Sequence, residues 1–196
     1  MPALKIPSFD IIEVDPETAL LPLTVADAKT MYERINANSD TLSTFMPDWS
    51  GDSLAGVRDY CKEADRARKT GRIAAYKTVR REEYVGNVTL EVNPDIGMPE
   101  MLFWLAEEVQ GHGLGKRVVR SVRDRYFEAG LEQIGTLINP RNPASRKVVK
   151  SAGAKLEDGI LKPLYRFLPL PIIRRLDLDD EFWVIRNNAG SFSHAN

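Results

Sequence analysis

Gln110-Gly111-His112-Gly113-Leu114-Gly115-Lys116-Arg117 joins an apolar run, Phe103-Trp104-Leu105-Ala106, to an amphipathic one that carries Leu114, Val118, Val122 and Tyr126 at helical spacing. The segment reads as a strand, a glycine-rich loop and the N-terminus of a helix. Glycines let the backbone take positive φ and approach a ligand closely, so several amide N–H groups can converge where the helix dipole adds partial positive charge. The ligand expected at such a loop is a phosphate or pyrophosphate.

Spacing separates the classes of phosphate loop. The G-x-x-x-x-G-K-[ST] type needs four residues between its glycines and a hydroxyl residue after the lysine, whereas Gly111 and Gly115 have three between them and Arg117 follows Lys116. The dinucleotide fingerprint beginning at Gly111 needs a further glycine at 114 or 116, where Leu114 and Lys116 stand. What remains is Gln-x-x-Gly-x-Gly, written by Gln110, Gly113 and Gly115.

Upstream, Ile73 to Val79, Tyr84 to Val92 and Met101 to Ala106 read as three strands of an antiparallel meander. Before them, Thr24 with Asp27 caps a helix whose apolar face is Val25, Ala28, Met31, Tyr32 and Ile35, and Asn36 to Ser39 ends it. Ser53 starts a second helix, striped by Leu54, Val57, Tyr60, Cys61, Ala64 and Ala67 and stopped by Gly71. Phe45 to Trp49 between them reads as an apolar loop, and Phe9 to Leu23, broken by Asp15-Pro16-Glu17, as strand, turn and strand. Downstream, a third helix from about Gly113 to Phe127 leads to a strand, Ile134 to Ile138. Pro143 then begins a short fourth helix that turns Ala144, Val148, Val149 and Ala152 inward and ends at Gly153. Strands near Lys155 to Leu161 and Glu181 to Arg186 finish the sheet. Pro163 to Asp180 reads as a long loop over the core, and Asn187 to Asn196 as a polar tail.

With 196 residues, 43% hydrophobic and 28% charged, the chain has the balance of an ordinary globular domain able to fill one core. Lys plus Arg number 27 against 28 for Asp plus Glu, a net charge of -1, so no general pull toward nucleic acid or an anionic membrane is expected. Cys61 alone can form no intramolecular disulfide, and with only His112 and His194 no metal cage is expected. No apolar run approaches the roughly 18 residues of a membrane span, and the N-terminus lacks a signal pattern, so a cytoplasmic location is expected.

The loop marked by Gln110, Gly113 and Gly115 resembles the coenzyme A pyrophosphate loop of the GCN5-related N-acetyltransferases. Phe103 to Glu107 is similar to that family's central strand, and the segment from Asn139 through Asn142, Pro143, Ala144 and Ser145 to Gly153 is similar to its second binding motif. Phe-Trp-Leu-Ala, Asn-Pro-Ala-Ser and the two helices before the meander resemble the RimJ/RimL-like branch. The resemblance covers residues 10 to 162 and is strongest from Met101 to Gly159. It implies acetyl-CoA as co-substrate, with no metal. It also implies cofactor contacts at Trp104, Leu105, Ala106, Gln110, Gly111, His112, Gly113, Leu114, Gly115, Lys116, Asn139, Asn142 and Ser145, a backbone amide among Trp104 to Ala106 meeting the thioester carbonyl.

The implied reaction sets its own requirements. An amine must be neutral to attack a thioester, the oxyanion needs a hydrogen-bond donor, and the departing thiolate needs a proton. The tyrosine acid that many family members place seven residues after the helix asparagine is Val149 here, which leaves Ser145 as the candidate donor beside the sulfur, or a helix-face serine bonded to backbone. Where RimL-like enzymes carry a glutamate base, this chain reads Leu164-Tyr165-Arg166, so the base candidates are Glu91, Asp158 or a water relayed from either, with Glu91 preferred. Met46, Trp49 and Tyr76 either line an acceptor pocket or close the core. Lys116 and Arg117 either assist the phosphates or are exposed first-turn cations, and Arg174 with Arg175 either recognise an acidic group or are loop charges.

The expectation is a single α/β (α+β) domain over 1–196, with its core at about 10–186 and a tail at 187–196. Its sheet is mixed, mostly antiparallel and twisted, with about four flanking helices and a cleft where the central parallel strands splay apart. The reaction is direct attack in a ternary complex. The acceptor is a protein N-terminal α-amine of ribosomal-protein type, with a small-molecule amine or antibiotic as one alternative and a catalytically weak acyl-CoA-binding module as another. Phe167, Leu168, Leu170, Ile172 and Ile173 offer an apolar patch for a homodimer or belong to the core.

Overall fold

Asp15-Pro16-Glu17 does turn the chain back on itself: β1 (Ile12–Asp15) and β2 (Thr18–Pro22) pair antiparallel, with Ile12 opposite Leu20. The structure, a computed structural model, describes residues 4–46, 53–93, 97–157 and 180–187. Trp49, Asp158, the tail beyond Asn187 and all of Pro163 to Asp180 except Asp180 itself lie outside the described residues, and with them Arg174, Arg175 and the apolar patch from Phe167 to Ile173.

The meander is β3 (Ile73–Arg80), β4 (Glu83–Asn93) and β5 (Met98–Leu105), and the chain returns through α4 (Leu114–Glu128) to β6 (Gln133–Ile138). After α5 (Pro143–Ser151) come β7 (Lys155–Leu156) and β8 (Glu181–Arg186). One sheet results, in the order β1-β2-β3-β4-β5-β6-β8-β7, and β5 with β6 is its single parallel pairing among the described strands.

Three further helices, α1 (Ala28–Ala37), α2 (Ser39–Phe45) and α3 (Leu54–Thr70), precede the meander. Cross-strand pairs assign the helices to faces. Ala75, Thr89 and Leu102 share one face, and the Tyr60 hydroxyl of α3 meets the Thr89 hydroxyl there at 2.9 Å. Tyr76 points to the other face, where its hydroxyl lies 3.0 Å from that of Tyr126 on α4. The sheet is therefore covered by α3 on one side and α4 on the other.

Three details differ from the sequence expectation. Asn38 ends α1, its amide donating to the Arg34 carbonyl at 2.8 Å, but its own carbonyl accepts from Leu42, so α2 starts at once where a loop was expected. Val25 is exposed, because residues 25–27 form a 3-10 turn and the period that put it on the apolar face does not hold there. Ala144, in the first turn of α5, is exposed as well, while Val149 and Ala152 are buried.

Asp27 ties the entry of α1 to the sheet. Its carboxylate accepts from the Thr24 N–H and hydroxyl at 2.9 and 2.8 Å and from the Lys77 ammonium at 2.6 Å. Burial alone would raise its pKa, but the bonds from Lys77 and Thr24 outweigh it and hold the carboxyl below the usual value. Asp27→Asn removes the charge and leaves Lys77 without its partner, at a cost of about 1–3 kcal/mol. With the folded value depressed, the wild type's advantage is complete above the ordinary carboxylate pKa of about 4 and vanishes as pH falls through the lower folded value. Denaturant titration of both proteins from about pH 7 down to pH 3 checks this; a gap that does not change with pH would show that the Asp27 charge contributes nothing.

Candidate active site

A single parallel bridge, Glu100 opposite Gly135, joins β5 to β6. Beyond it β5 stays on β4, ending with Leu105 opposite Gly86, while β6 stays on β8, ending with Ile138 opposite Glu181. The two strands therefore part toward their carboxyl ends and open the expected cleft. Because they are parallel, the segments that follow them, the glycine loop and the Asn139 to Asn142 turn, emerge at the same edge of the sheet.

The backbone at that edge is assigned by strand alternation. The Ala106 N–H donates to the Val85 carbonyl at 2.8 Å, away from the cleft, so one residue earlier the Leu105 N–H points into it. The Leu105 carbonyl, on the same side, accepts from the Gln110 amide at 2.7 Å, which folds the start of the loop over the end of β5. Of the three strand residues expected at the thioester, Leu105 supplies the free amide. Trp104 turns a buried side chain to the α3 face, and Ala106, fully buried, has its N–H committed to Val85.

Gly111 and Gly113 hold φ of +82° and +76°, and a Cβ at Gly111 would meet nothing within 4 Å while one at Gly113 would meet only an Arg117 nitrogen at 3.6 Å. Both features are what a backbone cradle needs: a conformation that favours glycine, and open space above it. Gly115 acts differently. It lies in α4, where a Cβ would come within 3.2 Å of Val148, so its hydrogen lets α4 and α5 pack closely. Leu114 is buried in the core, so only its backbone faces the loop, whereas Lys116 and His112 are exposed. Arg117 is turned away from the loop's open side toward Asp15.

Across the cleft, the Asn142 side chain caps α5 by accepting from the Ser145 N–H at 3.0 Å, and the Asn139 side chain accepts from the Arg141 N–H at 2.9 Å. Half-buried in the first turn of α5, the Ser145 hydroxyl has no hydrogen-bond partner among the described residues, which leaves it able to donate. The turn that leads into the loop is moored to α1 and α2. Glu107 donates its N–H to the buried Asn38 at 2.9 Å, its carboxylate accepts from Thr41, and Arg34 pairs with Glu108 at 2.7 Å.

The remaining candidates scatter. Glu91 is half-buried on the α3 face at the level of the bridge, directly across from Glu100, which is 8% exposed and accepts from Asn93 at 2.9 Å. Sequence reading missed Glu100 because it began this strand at Met101; the signal was a lone carboxylate beside Met-Leu-Phe-Trp-Leu. Of the two roles open to Tyr76, the structure gives it the core and not the acceptor pocket: it is fully enclosed on the α4 face, bonded to Tyr126 and to the Phe9 N–H. Met46 is partly buried against the core. Burial pushes the Cys61 thiol up to about 11, with the Asp27 charge adding to it, and the side chain is fully buried on α3.

Comparison with known proteins agrees with this geometry. Among solved structures the fold is similar to RimL, a ribosomal L7/L12 alpha-N-protein acetyltransferase, at 18% identity and TM-score 0.75 over 90% of this chain and 94% of that one. It is similar also to the Microcin C7 self immunity acetyltransferase MccE in complex with acetyl-CoA and AMP, at 15% identity and TM-score 0.74 over 89% and 94%. Mycobacterium smegmatis RimJ in complex with CoA-disulfide matches at 21% identity and TM-score 0.71 over 91% and 85%. No curated protein matches the chain significantly. The family model of the acetyltransferase (GNAT) domain matches residues 18–155, a span that takes in the splayed strands, the glycine loop and the Ser145 helix, and the chain belongs to that family of acetyltransferases.

Proposed function

We propose that this chain transfers an acetyl group from acetyl-CoA to a protein N-terminal α-amine, as a single cytoplasmic domain of the RimJ/RimL-like branch. The observation that carries the reading is the parting of β5 from β6 with an inward Leu105 N–H, flanked at one edge by the positive-φ loop and by the Ser145 hydroxyl, which no described residue engages. The fold likeness to RimL and RimJ favours a protein N-terminus. An equally close likeness to MccE keeps a small-molecule amine as the second reading.

Each residue then has a task. Amides of Gly111 to Gly115, at the N-terminus of α4, hold the pyrophosphate. The Leu105 N–H donates to the thioester carbonyl oxygen, where negative charge develops during attack. The acceptor amine approaches from the α3 face and gives up its proton through water toward Glu91 and Glu100, which face each other across the ladder about 17 Å of strand before Leu105. The nitrogen–carbon bond forms and the carbon–sulfur bond breaks, Ser145 gives the departing thiolate a hydrogen bond, and the thiolate takes its proton from solvent.

Three measurements test this. At about 100 times its dissociation constant, a ligand that binds only the native state adds roughly 2.7 kcal/mol, so thermal unfolding with acetyl-CoA, coenzyme A, ATP and NAD shows a shift of several degrees with the first two alone. A shift with ATP instead would refute the loop assignment. Gly113→Val, a β-branched side chain forced to positive φ in the cradle, weakens acetyl-CoA binding at least about tenfold; retained affinity would remove the loop from the site. Ser145→Ala lowers kcat by about ten- to a hundredfold with little change in KM for acetyl-CoA, and Glu91→Gln lowers kcat by about a hundredfold. Binding without coenzyme A release across peptide and small amines, indifferent to Ser145→Ala, would leave an acyl-CoA-binding module.

A further inference from the structure

The sequence places Arg117 among the first-turn cations beside a phosphate loop, where a phosphate contact is the obvious use. The structure turns it the other way. Its Nε donates to the Asp15 carboxylate at 2.8 Å, a residue 102 positions away at the end of β1, and one terminal nitrogen donates to the His112 carbonyl at 3.2 Å. The other Asp15 oxygen accepts from the Glu17 N–H at 3.0 Å, which fixes the carboxylate within its own turn. Asp15 is the better buried partner, with its side chain 20% exposed against 41% for Arg117.

One peptide plane links this strut to the ligand side. The bond between His112 and Gly113 is trans, as are all those described, so the His112 carbonyl and the Gly113 N–H point in opposite directions. With the carbonyl drawn toward the guanidinium, the Gly113 N–H is aimed away from it, to the loop's open side. Gly113, at φ +76°, could otherwise turn this plane with little penalty, since glycine populates several backbone regions. A flexible glycine amide becomes a fixed donor only when something holds the carbonyl behind it.

We infer that Arg117, oriented by Asp15, is a positioning residue that sets the Gly113 amide toward the pyrophosphate from behind, without touching the ligand. The inference rests on the proposed role of the loop and adds a pair of residues that no part of the glycine motif contains. An exposed ion pair contributes little to stability, so the pair matters for geometry rather than for folding. Asp15 suits the task. Burial would raise its pKa, but the hydrogen bonds from Arg117 and from the Glu17 N–H hold it below the usual carboxylate value, which keeps it charged.

The test compares Arg117→Gln, Arg117→Lys, Asp15→Asn and the Arg117→Gln/Asp15→Asn double variant in the full chain. Readouts are coenzyme A affinity by calorimetry, KM for acetyl-CoA and for acetyl-pantetheine, and thermal unfolding without ligand. Arg117→Gln should weaken coenzyme A binding roughly tenfold and raise KM for acetyl-CoA alike, with the loss on KM rather than kcat. Asp15→Asn should weaken it in the same direction, Arg117→Lys should restore part of it, and the double variant should be no worse than Arg117→Gln. Acetyl-pantetheine, which has no pyrophosphate, should be used equally by all. A direct phosphate contact predicts the opposite for Asp15→Asn, since a released Arg117 would bind as well or better, and that result overturns the inference. Equal losses with acetyl-pantetheine, or a fall in unfolding temperature that accounts for the weakened binding, also overturn it. Failure of the wild type itself to bind coenzyme A would refute the loop reading instead, and the strut with it.

Discussion

Only one bridge, between Glu100 and Gly135, holds β5 to β6, and the rest of the site depends on that scarcity of hydrogen bonds. A sheet gains by continuing its ladders, and main-chain groups left unpaired inside a protein are costly, so strands do not part without a cause. Here the cause is the stronger claim of the outer neighbours. β5 is paired along its whole length with β4, from Met98 opposite Asn93 to Leu105 opposite Gly86, and β6 along its whole length with β8. Each strand follows the twist of its own half-sheet, and the two halves diverge toward the carboxyl ends. The proposed site sits where the divergence is greatest, at the edge that combines inward-facing strand amides with the segments that follow two parallel strands.

A cleft of this kind needs its rims fixed from outside, since the strands themselves do not fix them. Two sets of contacts do so. On the α3 side, Asn38 at the junction of α1 and α2 holds the Glu107 N–H while Arg34 pairs with Glu108, so the helices before the meander are tied to the turn that feeds the loop. On the α4 side, Gly115 lets α5 pack against α4, and Arg120 and Arg123 donate to the carbonyls of Ser151 and Ala152 at the end of α5. These last bonds satisfy carbonyls that a helix terminus leaves open and place the Ser145 end of α5 relative to the loop. Charged side chains on both rims are thus spent on holding turns and helix ends in place.

What the sequence revealed of this arrangement followed physical range. Local rules were enough for most elements: Ser53 accepts from the Gly56 N–H as the cap of α3, Gly71 closes that helix at φ +74°, and Pro143 opens α5. The shape of the loop was legible from glycine spacing because positive φ and the step into a helix are local. Long-range pairings left no such mark. Neither the bond of Arg117 to Asp15 nor that of Asn38 to Glu107 has a signature in spacing, and α2 was hidden because Asn38 both ends one helix and begins the next. Tyr76 could have lined a pocket or the core, and only the parity of β3 against α4 decides for the core. Glu100 fell outside the expected strand by one residue, which shows how much a boundary error of that size matters when the residue is the sheet's central bridge.

The two faces of the sheet differ in a way that bears on the chemistry. On the α4 face the buried Tyr76 and Tyr126 hydroxyls answer each other, and burial raises the Tyr126 pKa. The α3 face instead carries Lys77, Asn87, Thr89, Glu91 and Glu100 in cross-strand register, with Asn87, Thr89 and Glu100 buried. Burying polar groups is unfavourable unless each finds a partner, and a sheet that had only a core to close would be more stable with apolar side chains at these positions. Their concentration on one face, beside the level at which β5 leaves β6, supports the proposed role of Glu91. The nucleophile is not among them: the Cys61 thiol on the same side is fully buried and pushed up to about 11, so no thiolate is at hand to take the acetyl group first. Attack by the acceptor amine itself is the path that this face leaves open.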